Sequence, residues 1–122
     1  MALRVIPVVP GQRSSTRRVQ LSGREYRVDL RWSDFEGVFY LALLTASGAL
    51  LVAGVRVVPN LPLLAGRHGV DGVPAGELVA MDVRPSPADP GLDELGDVVR
   101  LTYWEPFVNA SSNETITTPE PE

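Results

Sequence analysis

The chain has 122 residues, a formal charge of −4, no cysteine and one histidine. That length fits one domain with a modest core and leaves no room for a second. Without cysteine there is no disulfide framework, thiol nucleophile or cysteine metal cluster, and the redox compartment is left open. A lone His68 also removes most remaining zinc geometries.

All eleven basic residues are arginine, so a Schiff-base or P-loop lysine is excluded. We read this bias mainly as an effect of nucleotide composition, with an interface role as the alternative. The acidic balance, with a pI near 4.9, argues against general binding to nucleic acid or to anionic membranes. Arginines gather in the N-terminal third, from Arg13 to Arg31, and acids lie toward the C-terminus, from Asp71 to Glu122. A molecule charged in this way suits head-to-tail or mixed contacts with other proteins, set against the plainer reading of a solvated surface. No apolar stretch has the length of a membrane span. Met1 to Pro10 is too short for a signal peptide and is cut by two prolines.

Leu3 to Val9 is a short apolar segment with Pro7 and Pro10, compatible with an edge strand or an extended arm. Arg17 to Leu21 reads as a strand, and Ser22-Gly23 turns it into the next one. There Tyr26, Val28, Leu30 and Trp32 alternate with Arg27, Asp29 and Arg31, the period of a half-buried antiparallel strand. Ser33 to Gly37 is a turn, Val38 to Leu44 the following strand, and Thr45 to Gly48 a second turn in which Gly48 supplies positive φ. Ala49 to Val58 is the third strand of this unit, and Gly54 predicts a bulge or a close backbone approach. Both latter strands are apolar on nearly every residue, so both their faces are expected to be covered, one by this domain and the other by a partner.

Pro59 to Gly66 is an apolar loop with two prolines whose leucines must be buried somewhere. After a glycine-rich stretch from Arg67 to Gly76, Glu77 to Val83 returns to strand. Arg84 to Asp97 is an acidic, proline-rich surface connection anchored by Leu92 and Leu95, spaced for one helical turn. Val98 to Trp104 is the last strand, and the composition of Phe107 to Glu122 is that of a polar tail. The organisation is thus an N-terminal arm or edge strand over 1–16, a β domain over 17–106 and a tail over 107–122. Six to seven short strands without a helical period predict an all-β fold, a small antiparallel β-sandwich or partly open barrel with extended terminal arms.

Chemical motifs are weak throughout. His68 has no readable serine or acid partner and reads as a surface residue. Glu77 and Asp82 would need a defined separation across a cleft to act as paired carboxylates. Asp89, Asp93, Glu94 and Asp97 do not have the spacing of a calcium loop. Two Asn-x-Ser/Thr patterns in the tail are common by chance in such composition. No catalytic, cofactor-binding or metal-ligating residue is therefore assigned. Most of the aromatic residues are expected in the core. Adjacent Tyr103 and Trp104 must point to opposite faces of one strand, which makes one of them a candidate for an interface.

The order of YRVDLRW, VFYLALL, the Ala-Ser-Gly turn, LLVAGVRVVPNLPLLAG, GELVAMD and LGDVVRLTYWEP resembles the baseplate plug family of contractile-tailed cyanophages and related bacteriophages. The similarity runs from about Arg17 to Pro106, and the tail from Phe107 extends past it. It implies a virion structural protein without catalytic activity or cofactor. Such a protein sits in the central baseplate beside hub and tail-tube-initiating proteins, in multiple copies forming a ring, after assembly in the host cytoplasm. Leu61, Leu63, Leu64, Trp104 and Phe107 are the interface candidates on this reading. The alternative is a ligand- or glycan-binding β-barrel module, a receptor-binding accessory of a phage tail, with a pocket lined by exposed aromatics.

Overall fold

The computed structural model describes residues 3–105. Seven strands are formed: β1 (Leu3–Val5), β2 (Ser14–Leu21), β3 (Arg24–Ser33), β4 (Val38–Thr45), β5 (Leu50–Arg56), β6 (Glu77–Asp82) and β7 (Val99–Trp104). They make two antiparallel sheets, one ordered β2-β3-β4-β5 and the other β1-β7-β6, which are not closed into a barrel. This is the all-β architecture expected, in its sandwich form.

The four-stranded sheet is built from consecutive hairpins. Ser22 and Gly23 both take positive φ, 53° and 80°, the requirement of a two-residue turn whose twist matches its strands. Their position pairs Arg17 with Val28 and Val19 with Tyr26. Two register shifts occur between β4 and β5: Leu41 faces Val55 whereas Leu43 faces Val52, so Ala53 and Gly54 together oppose Ala42. Gly54, with φ 67°, is the bulge that the sequence signalled.

The three-stranded sheet is assembled from the two ends of the chain. Leu3 pairs with Trp104 and Val5 with Thr102, so the N-terminal segment is an edge strand of this sheet. β2 opens at Ser14, earlier than its apolar residues suggested, because Ser14, Ser15 and Thr16 continue the ladder with Arg31, Leu30 and Asp29.

Between the sheets lies one core, with Val28, Leu30, Leu41 and Leu43 from one side and Leu78, Ala80, Leu101 and Tyr103 from the other. Trp32 and Phe39 meet edge to face at 4.9 Å on its margin. Only one face of β4 and β5 is covered within the described residues. On the other, Tyr40, Ala42 and Leu44 are half-buried while Leu50 and Ala53 are exposed. The face expected to pack within this domain does so, and the face assigned to a partner is the one left open in the single chain.

The Pro59–Leu64 loop is held against the edge of β6. Asn60 N donates to Ala80 O at 2.8 Å and Leu63 N to Leu78 O at 2.7 Å. The Asn60 side chain, with its backbone at φ 61°, completes the ladder: Nδ2 donates to Asp82 O and Oδ1 accepts from Asp82 N, each at 2.9 Å. This turns Leu63 and Leu64 into the core and leaves Leu61 57% exposed. Leu92 and Leu95 do anchor the following connection, Leu95 fully buried, but through hydrogen-bonded turns over Gly91 to Asp97 and not through a helix. Its acids compete for the local backbone N–H groups, as when Gly91 N donates to Glu94.

Gly76 is required by space. A Cβ there would lie 2.3 Å from the Trp104 carbonyl oxygen and 2.4 Å from the Tyr103 ring and hydroxyl. Gly76→Ala is expected to cost about 1–3 kcal/mol by overpacking, measured by urea unfolding. In the same assay Leu64→Ala should lose about 2–5 kcal/mol, whereas Leu61→Ala should stay within about 0.5 kcal/mol of the parent. Equal losses from the two leucines would contradict the placement of this loop.

Candidate interaction surface

Cross-strand registry determines which residues face outward on the three-stranded sheet. Leu3, Trp104 and Glu77 form one row, and Val5, Thr102 and Val79 the next. Since Tyr103 points into the core, Trp104 must point out, and it is half-buried on this face. Its indole Nε1 donates to Thr102 Oγ1 at 3.1 Å, and that hydroxyl donates to Val79 O at 2.8 Å, so the ring is held in place.

Beside this row is a groove of about 570 Å³ with walls formed by Leu3, Val5, Met81, Val83 and Val98. Arg84, Asp97 and Arg100 stand at it, and Val83 is 85% exposed. This patch of aliphatic side chains makes the groove a candidate surface for contact with another molecule. The walls carry no aromatic ring of the kind that a glycan-binding pocket was expected to present.

One polar cluster supports the edge of this groove. Asp82 is 3% exposed. Arg84 donates to it through Nη2 at 2.7 Å and Nε at 2.9 Å, while Nη1 reaches Glu94 at 2.9 Å. Glu94 in turn accepts from Gly91 N at 2.7 Å, which pins the connection between β6 and β7. The guanidinium holds the Asp82 carboxyl well below the usual carboxylate range. The Gly91 N–H, and then Arg84, lower Glu94 in the same direction.

Glu77 and Asp82 point to opposite faces of β6, and Glu77 pairs with His68 Nε2 at 2.8 Å. They do not form a carboxylate pair across a cleft. Among the described residues no three acids or histidines converge as metal ligands.

Of the interface candidates, Leu61 and Trp104 lie at the surface, and Leu63 and Leu64 are core residues with no surface to offer. Phe107 lies outside the described residues. The groove itself was not legible in the sequence, because Leu3 and Val5 lie near one end of the chain and Met81 and Val83 far along it, in and just after β6. Phe35, in the Ser33–Gly37 turn, is 100% exposed and stands outside the core that holds most of the aromatic residues.

Residues 3–106 match the family described as Cyanophage baseplate Pam3 plug gp18. The chain belongs to this baseplate plug family. It is thereby a structural protein of the phage tail baseplate, and the match takes in every strand, β1 included. The similarity read from the sequence began only at Arg17, because Leu3–Val5 has too few residues to carry a pattern of its own. The comparison with curated proteins gave no match.

Stability should depend on pH through the Asp82 cluster. Asp82 is depressed in the folded state, so its contribution is complete above the unfolded carboxylate value of about 4 and is lost as pH falls from there toward the lower folded value. Urea unfolding as a function of pH should show a decline below about pH 5. Asp82→Asn should be less stable at pH 7 and show a flatter acid limb. An unchanged limb would mean that other carboxylates control acid unfolding.

Proposed function

We propose that this chain is a non-catalytic plug at the centre of a contractile phage baseplate. There it seals or reinforces the junction between hub and tail-tube-initiating proteins, in several copies arranged as a ring. The family match over residues 3–106 carries this reading. Support comes from the aliphatic groove on the β1-β7-β6 sheet and from the second open face on β4 and β5, where Leu50 is exposed beside Ala53. Two open faces on one small domain suit a subunit that touches more than one neighbour. Leu61 and Trp104 are proposed contact residues, Trp104 because its ring is already ordered and loses little freedom on binding. Assembly into the virion follows synthesis in the host cytoplasm.

The test is made on purified phage particles. Mass spectrometry should find the chain at a constant ratio to the tube protein, and cryo-electron microscopy should place it at the tube-proximal centre of the baseplate. Its absence from purified particles, or a peripheral position in them, would refute the proposal.

A further inference from the structure

The β3–β4 turn presents a ring that the rest of the domain leaves untouched, although its immediate neighbours are held. Gly37 N donates to Ser33 O at 2.7 Å, and Glu36 N to Ser33 Oγ at 3.2 Å. Trp32 Nε1 donates to Asp34 Oδ1 at 3.0 Å, and the Arg13 guanidinium binds the same carboxylate. Tyr40 OH donates to Glu36 Oε1 at 2.7 Å. Phe35 stands in the middle of this network, 100% exposed. Because the backbone of the turn is already held, burying this ring costs side-chain but little backbone entropy, and a large exposed apolar side chain so presented has the form of an interface anchor.

The same molecule carries an apolar groove on its other sheet. The groove walled by Leu3, Val5, Met81, Val83 and Val98 is apolar, and two arginines stand at it. Arg84 is engaged by Asp82 and Glu94, but among the described residues Arg100 makes only a long contact of 3.4 Å to the Asp97 carbonyl. Among the described residues the Glu36 carboxylate accepts a hydrogen bond only from the neutral Tyr40 hydroxyl, and the nearby Arg56 is itself paired with Asp89. The acid next to the ring and the cation beside the groove are complementary. The turn belongs to the four-stranded sheet and the groove to the three-stranded one, so the two patches are separate surfaces.

We propose that Phe35 of one copy seats in the β1-β7-β6 groove of a second copy, with Glu36 facing Arg100 of that copy. The contact is heterologous: each molecule uses a knob on one side and a groove on the other, so it repeats and closes into a ring when the rotation allows. This deepens the multicopy reading above by naming the surfaces through which copies meet.

Sedimentation velocity of the full chain over a concentration series provides the test. The parent should rise from the mass of one chain to that of several. Phe35→Asp and Val83→Asp, both at exposed positions and expected to melt as the parent does, should each stay at the mass of one chain. Val98→Asp replaces the second variant should that one fail to fold. Mixed in equal amounts, the two variants should form a species of two chains that grows no further, because only one intact knob and one intact groove remain. Glu36→Arg should weaken association about tenfold, and adding Arg100→Glu to the same chain should restore it. A parent of single-chain mass at its highest soluble concentration, an oligomer that survives Phe35→Asp, or no two-chain species on mixing would overturn the contact. Detection in purified particles is independent of these results, so the baseplate reading stands or falls separately.

Discussion

The structure depends on the pairing of β7 with both β1 and β6. β7 is the centre of the three-stranded sheet, and its partners come from the opposite end of the chain and from beyond a long connection. Without it, Leu3–Val5 and Glu77–Asp82 have no common neighbour and the four-stranded hairpin unit has nothing to cover its apolar face. Tyr103 links this strand to the rest: its hydroxyl accepts from Gly76 N at 2.8 Å and lies 2.7 Å from Ser22 Oγ in the β2–β3 turn of the other sheet. A buried phenol satisfied from two directions joins the sheets at that end and excludes any side chain at residue 76.

Leaving the sheets unclosed exposes strand edges, and the chain treats each differently. β6 is covered by the Pro59–Leu64 loop, with the Asn60 amide standing in for a strand partner. β5 is twisted by two register shifts. β2 carries Arg17 and Arg18, and β1 is only three residues long and is followed by Pro7. These are the means by which sheet proteins avoid edge-to-edge aggregation. The exposed apolar surfaces lie instead on faces and turns, where the groove and Phe35 are found.

The surface ion pairs contribute little to this arrangement. Arg18–Glu25 and Arg56–Asp89 are solvent-exposed, and such pairs are worth at most about 1 kcal/mol. Asp82 is different, since burial makes its pairing with Arg84 a requirement, and Arg84 so held stands at the groove.

The sequence by itself determined what depends on near neighbours. Alternation over Tyr26 to Trp32, the Ser22-Gly23 and Gly48 turns and the Gly54 bulge are local consequences of strand period and of positive φ, and the hairpins β2 to β5 follow from them. The order of those patterns also carried the family. Tertiary structure alone decided which leucine of Leu61, Leu63 and Leu64 faces out, since that depends on hydrogen bonds to a strand many residues away. It also decided the partner of Leu3–Val5, the exposure of Phe35 and the existence of the groove. An apolar residue has the same hydrophobicity wherever it stands in the chain, and only the long-range pairing of strands determines whether water or protein lies beside it.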